Sequence, residues 1–267
     1  METFADGRIM LRIGRVARLT LNRPEKRNAM NSDMWRAVIS ACEVVAHRPE
    51  VRALVLDGAG QHFCSGADIS EFELAYGSKE SAESYNNNYR AAENAVRGLD
   101  VPVIAEIRGG CFGGGLGLGL SADFRFADRS TKIAVTASKL GIAYSAEDST
   151  RLIEKVGPIR TKDMLFSART IEAAEALAWG LVDRLFEPEE LSSGVRDYAD
   201  LLAARSLASI SAMKTIIGSL MEPNAKLCQS LRPIYSGLFG GPDFIEGRRA
   251  FLEKREPDFG NVANASK

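Results

Sequence analysis

The chain has 267 residues, 45% of them hydrophobic and 26% charged, a balance that fits a folded globular protein and excludes a disordered, collagen-like or disulfide-rich one. Its 34 Lys and Arg offset 35 Asp and Glu to a formal net charge of -1, so no global basic field draws it to nucleic acid or anionic lipid, and any charge used in binding must be local. No window approaches the roughly 18 consecutive apolar residues of a membrane span; Glu2 and Asp6 stand where a targeting signal would be basic, which makes the cytosol the expected compartment.

Along the chain, Val16, Leu19 and Leu21 alternate with polar or small residues over 15–22. This predicts a strand closing at Arg23-Pro24, where proline disfavours continuation. Apolar positions then recur at Met34, Trp35, Val38, Ile39 and Cys42, predicting an amphipathic helix over 31–47 with Asn31 or Ser32 as N-cap. Two β-branched runs, 51–56 closed by Asp57-Gly58 and 101–107, predict strands, with a polar helical stretch over 79–97 between them. The Phe124/Phe126 alternation and the run 133–135 add two short strands. Beyond Ser145 the chain reads almost wholly helical, over 148–156, 161–166, 171–179, 189–204, 208–220 and 243–255, punctuated by Gly157-Pro158, Gly180 and Glu222-Pro223. The alternating half points to an α/β core, and the helical remainder to packing or oligomerisation elements.

Two glycine-bearing segments follow strand ends: His62-Phe63-Cys64-Ser65-Gly66-Ala67-Asp68-Ile69 and Gly109-Gly110-Cys111-Phe112-Gly113-Gly114-Gly115. Ligands of α/β proteins bind at the ends of parallel strands, and glycine lets a ligand approach backbone N–H groups. A pair of backbone donors converging on one oxygen is therefore one reading; turn formation and close packing are the other. A phosphate cradle is disfavoured, because no G-x-x-x-x-G-K-[ST] occurs and a G-x-G-x-x-G begun at Gly113 or Gly115 meets Leu118 or Leu120 at its last position. The period-two run 115–120 reads as strand by pattern, since a helix there would lose about 1 kcal/mol per glycine relative to alanine. Cys42, Cys64, Cys111 and Cys228 lie far apart without a CxxC pair, so they predict reduced core thiols rather than a disulfide framework or a zinc site.

The pieces Leu21-Asn22-Arg23-Pro24-Glu25-Lys26-Arg27-Asn28-Ala29, Cys64-Ser65-Gly66-Ala67-Asp68-Ile69, Phe112-Gly113-Gly114-Gly115 and Ala250-Phe251-Leu252-Glu253-Lys254-Arg255 form an ordered pattern over nearly the whole chain. Ser138-Lys139-Leu140-Gly141-Ile142 and the helix end carrying Ala173, Ala176, Trp179, Gly180, Leu181 and Val182 lie between them. The pattern resembles the enoyl-CoA hydratase/isomerase (crotonase) superfamily. That resemblance implies an α/β fold of ββα units wound into a spiral core over 1–190, and a helical C-terminal region over 191–267 that joins chains into trimers or dimers of trimers. It implies coenzyme A thioesters as substrates, no tightly bound cofactor or metal, and no nucleic-acid or membrane partner. It also overrules the strand reading of 115–120, because the family's triple glycine opens a helix. By resemblance the N–H groups of Ala67 and Gly114 form an oxyanion hole for the thioester carbonyl. Two preoriented donors and a helix N-terminus suit that role, since enolate formation places negative charge on this oxygen. Lys26, Arg27 and Ala29 resemble the segment near the CoA phosphates, and Ala67, Asp68, Ile69 and Ser70 the pantetheine and adenine segment. Phe251 and Lys254 resemble C-terminal residues that reach a neighbouring subunit's CoA; core packing and surface charge are their alternative.

The sequence departs from the hydratase pattern at its two glutamates. Counting from Gly114 puts Gly117 at the first position, and anchoring on Ser138-Lys139-Leu140-Gly141 puts Ala137 at the second. Neither can transfer a proton, and general acid–base catalysis is worth about 10²- to 10⁴-fold per group. Nearby, Tyr144-Ser145-Ala146-Glu147-Asp148 crowds three titratable groups into one loop, and Leu140-Gly141-Ile142-Ala143-Tyr144-Ser145 resembles the corresponding loop of methylmalonyl-CoA decarboxylases. Tyr144, Glu147 and Asp148 are thus the candidates for proton handling, although Ser145-x-x-Asp148 also fits a capping box. Asp68, Glu71, Tyr85 and Tyr89 could enter the acyl pocket but read first as surface groups, and His62 and His47 read as structural. The expected function is an acyl-CoA enzyme that stabilises a thioester enolate, for double-bond isomerisation or decarboxylation rather than glutamate-pair hydration. The alternatives are a hydratase with substituted acid–base residues and a non-catalytic acyl-CoA-binding oligomer.

Overall fold

A computed structural model describes residues 1–205, 207–221 and 241–255; Cys228 lies outside these. The first three strands, β1 (Glu2–Phe4), β2 (Ile9–Arg12) and β3 (Val16–Leu21), form an antiparallel meander. From β3 the sheet continues in parallel through β4 (Ala53–Gly58), β5 (Val103–Ile107), β7 (Phe124–Asp128) and β10 (Arg184–Phe186), giving seven strands in the order β1-β2-β3-β4-β5-β7-β10. A smaller sheet pairs β6 (Gly110–Phe112) in parallel with β8 (Lys132–Ala134), and β8 antiparallel with β9 (Ile171–Glu172).

The central strands β4 and β5 are covered on both faces, which is why they read as apolar runs, whereas β2 and β3 alternate between buried and partly exposed residues. Leu54, Leu56, Val103 and Ala105 point to one side, into a core with Trp35, Val38 and Phe63. Their neighbours Ala53, Val55 and Ile104 point to the other, against Leu191, Val195 and Ala199 of α7 (Leu191–Ala203).

Helix α1 (Ser32–Ala46) starts where Asn31 Oδ1 accepts from the Met34 N–H at 2.9 Å, choosing Asn31 over Ser32 as N-cap. It packs on α3 (Lys79–Arg97), which begins at a capping box formed by Ser78 and Ser81; α2 (Phe72–Ala75) is a single turn between them. Helix α4 (Gly114–Leu120) settles the ambiguous glycine run as helix. Two of its glycines leave no room for a side chain: a Cβ on Gly115 would lie 2.7 Å from both Cβ and O of Cys64 and one on Gly117 2.2 Å from Glu93 Oε1, while Leu116, Leu118 and Leu120 are buried elsewhere in the core. Tertiary packing thus overrides the helix penalty of glycine.

Helix α5 (Ala146–Ser167) breaks at Gly157, whose φ of 77° and ψ of 165° separate the two helices expected at 148–156 and 161–166. It is followed by α6 (Ala173–Trp179), α7, α8 (Leu207–Met221) and α9 (Pro242–Leu252). The second half is less uniformly helical than expected. Ile171 and Glu172, assigned by pattern to a helix start, form β9, and β10 closes the large sheet. Strands of two or three residues are shorter than any periodicity can register. No helix among the described residues is long and apolar enough to cross a membrane.

Candidate active site

The two glycine segments meet at the ends of β4 and β5. Phe112 N–H donates to Cys64 O at 2.9 Å and Cys64 N–H to Gly110 O at 3.1 Å, stitching the loops together. Gly66 turns with φ of 96° and Gly113 with φ of 50°, a region open to glycine and costly for a side chain. Met30 N–H donates to Gly66 O and Asp68 N–H donates to Met30 O, each at 2.8 Å, which leaves the Ala67 N–H between them facing the pocket. Gly113 N–H is used by Ala134 O at 3.0 Å, and Gly114 follows as the first residue of α4. Among the described residues, neither the Ala67 nor the Gly114 N–H has a protein acceptor. The loops touch, for a Cβ on Gly66 would sit 3.5 Å from Gly114 N.

From these donors a cavity runs between Ile69, Phe72, Tyr76 and Tyr85 on one side and Val135, Ala137, Leu140 and Ile142 on the other. Phe244 of α9 stacks on Phe72 with centroids 5.9 Å apart, so α9 backs this wall. The inner end is polar. Tyr89 donates to Asp148 Oδ2, Ser145 Oγ donates to the same oxygen at 2.7 Å, and Arg151 Nη1 donates to Asp148 Oδ1 at 2.8 Å. Tyr144 donates to Gly113 O at 3.0 Å. Burial, reinforced by the Asp148 charge, pushes both phenols well above the usual tyrosine value, so they are donors at neutral pH. Ser145 caps α5 as expected by accepting from Asp148 N–H at 3.0 Å, but the Asp148 carboxylate turns inward instead of closing the cap box.

The remaining sequence candidates divide clearly. Tyr85, Tyr89, Tyr144, Asp148, Ala67, Ile69 and Gly114 all line the pocket. Glu147, one residue from Asp148, lies outside the lining, with its Oε1 4.0 Å from Arg90 Nε. Lys26 and Arg27 are exposed on a turn held to the pocket rim by Ser65 N–H donating to Arg27 O at 3.0 Å. Ala29 O accepts from Arg23 Nη1 at 3.2 Å, and the same nitrogen donates to Asp68 at 2.6 Å. Burial works against the Asp68 charge, but hydrogen bonds from Ser70 and Arg23 outweigh it and hold the carboxyl below the usual range. Ser70 donates to Asp68 Oδ1 at 2.6 Å, so both shape the loop. Glu71 accepts from Ser32 N–H and Oγ, each at 2.8 Å, and serves the start of α1. Phe251 and Lys254 are exposed at the end of α9. His62 Nδ1 accepts from Gly110 N–H at 2.9 Å, and burial followed by the nearby Arg27 charge lowers its pKa, fitting a neutral structural ring; His47 Nδ1 lies 2.8 Å from Glu43 O on an exposed helix end.

Sequence reasoning missed Glu93. It is fully buried behind Asp148 and is bound by Arg151 Nη1. The signal was present, for Tyr85, Tyr89, Ala92 and Val96 form the inward stripe of α3 and Glu93 falls on it.

A family model described as enoyl-CoA hydratase/isomerase matches residues 13–262. The crotonyl-CoA hydratase of Syntrophomonas wolfei is 31% identical over 247 residues, covering 92% of this chain and 94% of its own. Among solved structures, an enoyl-CoA hydratase/carnithine racemase from Magnetospirillum magneticum superposes with a TM-score of 0.78 at 33% identity, over 94% of this chain and 95% of that one. A methylmalonyl-CoA decarboxylase in complex with 2-nitronate-propionyl-CoA superposes with a TM-score of 0.84 at 26% identity, over 94% and 97%. These relatives carry different reaction names on one architecture, so the likeness fixes the fold and the class of chemistry but not the reaction. With its crotonase-type α/β fold and a match across nearly its full length, the chain belongs to the enoyl-CoA hydratase/isomerase family of acyl-CoA-processing enzymes.

Proposed function

We propose that this protein shifts the double bond of an enoyl-CoA thioester by way of an enolate, with Ala67 and Gly114 as the oxyanion hole and Asp148 as the base. The observation that carries this reading is the pairing, in one apolar cavity, of two acceptor-free backbone donors with a single inward-facing carboxylate. With the thioester oxygen between the two N–H groups, Asp148 takes a proton from the acyl chain and the electron pair moves onto that oxygen. The proton returns to a different carbon and the double bond moves. Preorganised donors are worth about 2.7–4 kcal/mol each in such sites because they need no reorganisation as charge develops.

Hydration by a glutamate pair finds no support at Gly117 or Ala137, which offer a hydrogen atom and a methyl group. Glu147 is the weaker candidate base because it lies outside the lining. Decarboxylation, the second reading, draws on the likeness to the methylmalonyl-CoA decarboxylase and on Tyr144 beside the hole. A substrate carboxylate would there face the Asp148 charge, which favours isomerisation. Lys26 and Arg27 on the rim suit the phosphates of CoA.

The deciding experiment incubates purified protein with 2-enoyl, 3-enoyl, 3-hydroxyacyl and malonyl-type CoA thioesters and resolves products by chromatography and mass spectrometry. Interconversion of 3-enoyl and 2-enoyl species is the expected result. Rapid hydration of the 2-enoyl thioester, or loss of carbon dioxide from the malonyl type, would replace it with the corresponding alternative, and an inert panel would point to a binding protein.

A further inference from the structure

Glu93 places a second carboxyl within reach of the same guanidinium that holds Asp148. Its side chain is completely buried; Oε2 accepts from Arg151 Nη1, while Oε1 has no hydrogen-bond partner among the described residues. Room for it exists only because residue 117 is glycine. A Cβ there would fall 2.2 Å from Glu93 Oε1, 2.8 Å from the Tyr89 hydroxyl and 3.0 Å from Asp148 Oδ1, so three oxygens converge on the volume that any side chain at 117 would fill. A buried carboxyl thus stands beside the position that carries a proton-transferring glutamate in the hydratase pattern, but it arrives from α3 rather than α4.

Charge decides the state of this cluster. One cation, Arg151, faces two buried acids, and two ionised carboxylates at such range repel strongly in a low-dielectric interior. Donor supply is unequal: Asp148 receives hydrogen bonds from Tyr89, Ser145 and Arg151, whereas Glu93 receives one from Arg151 and otherwise only neighbours the Tyr89 hydroxyl that already donates to Asp148. Of the two acids, Glu93 has the poorer donor supply and is the one on which burial favours the proton. The other groups facing Glu93 are the phenols of Tyr89 and Tyr144 and the amide of Asn94, the last held by Arg151 Nη2 at 3.3 Å; α4 contributes only Gly117. Burial, then the Asp148 charge, pushes the Glu93 carboxyl up to about 8 against the pull of Arg151.

Resting on the site proposed above, we propose that Glu93 is its positioning residue: seated beside Gly117 as an un-ionised acid, it braces Arg151 and Tyr89, the two groups that hold the Asp148 side chain at the cavity. Ionisation of Glu93 adds a second buried negative charge and disorganises the base.

Glu93→Gln reproduces the un-ionised acid, accepting from Arg151 and donating toward Tyr89 and Asp148, whereas Glu93→Leu removes the brace. Wild type is expected to lose activity as pH rises through about 8, and E93Q to keep kcat at neutral pH and to lack that alkaline fall. E93L is expected to lower kcat on the order of 10²-fold, the cost of misplacing a reacting group by about 1 Å, with KM little changed. Infrared difference spectra of wild type minus E93Q, taken across pH without substrate, should show the carbonyl stretch of a carboxylic acid below about pH 8 and its loss above. Absence of that band at neutral pH, or an E93Q variant as impaired as E93L at every pH, would overturn the proposal. A wild-type enzyme inert toward the whole thioester panel would sink the proposed isomerase function, while the infrared titration would still decide the protonation of Glu93.

Discussion

At the residue scale, Arg151 is buried between the carboxyl groups of Asp148 and Glu93, and this cluster lies across a cavity from two backbone donors. Asp148→Asn keeps the shape and removes the proposed base, so turnover should fall about 10²- to 10⁴-fold while the Kd for the thioester, read by calorimetry, changes little. An unchanged rate would shift the role to Glu147. The parts of this cluster differed in how legible they were in the sequence. Ala67, Gly114, Tyr144 and Asp148 stand in or near segments that resemble family motifs, so the chain announced them. Glu93 stands in no motif; it belongs to the cluster only because α3 crosses behind α4, a contact between positions far apart in the chain. Tyr89 was named but read as surface, although its i+4 spacing from Tyr85 continues the buried stripe.

At the element scale, α4 shows why pattern alone fails on glycine. A run alternating Gly and Leu has the period of a strand, yet each glycine answers to a different neighbour: Gly115 to the Cys64 backbone, Gly117 to the Glu93 and Asp148 carboxyls. Gly115→Ala should cost about 1–3 kcal/mol by overpacking, measured by urea unfolding, because a Cβ 2.7 Å from Cys64 Cβ and O meets the loop that carries Ala67. A neutral outcome would show that the loop yields. Elements that obey local rules were legible to within a few residues: α1 with its Asn31 cap, α3, and the two halves of α5 divided by Gly157-Pro158. β1 and β2 escaped because they span three and four residues, and their turn places Ala5 at a φ of 49°, a conformation seldom coded by alanine.

At the scale of the whole molecule, burying Glu93 writes a pH dependence into stability. The folded chain holds a proton up to about pH 8 that an unfolded chain releases near 4.5, so the folded state binds more protons throughout that window and stability falls as pH rises through it. Thermal melts of wild type and E93Q should therefore converge at the acid end of the window and diverge toward its alkaline end, with E93Q the more stable there; parallel curves would mean that Glu93 is ionised throughout. A long-range term acts on binding. With the net charge near zero, the attraction for CoA phosphates that we propose rests on local groups, Lys26 and Arg27 on the rim. Replacing both by Gln should weaken thioester binding at low salt and flatten its salt dependence, while kcat at saturation holds.

The conformations of Gly66 and Gly113 also determine how this pocket would look to a geneticist. The groups that would hold the thioester oxygen belong to the main chain; an alanine scan cannot remove them, since residue 67 is already alanine and every replacement at 114 except proline keeps its N–H. Harmful alleles should gather instead at 66 and 113, whose φ of 96° and 50° only glycine adopts without strain. A saturation screen would outline the proposed oxyanion hole by the turns on either side of it and leave the donors themselves nearly blank.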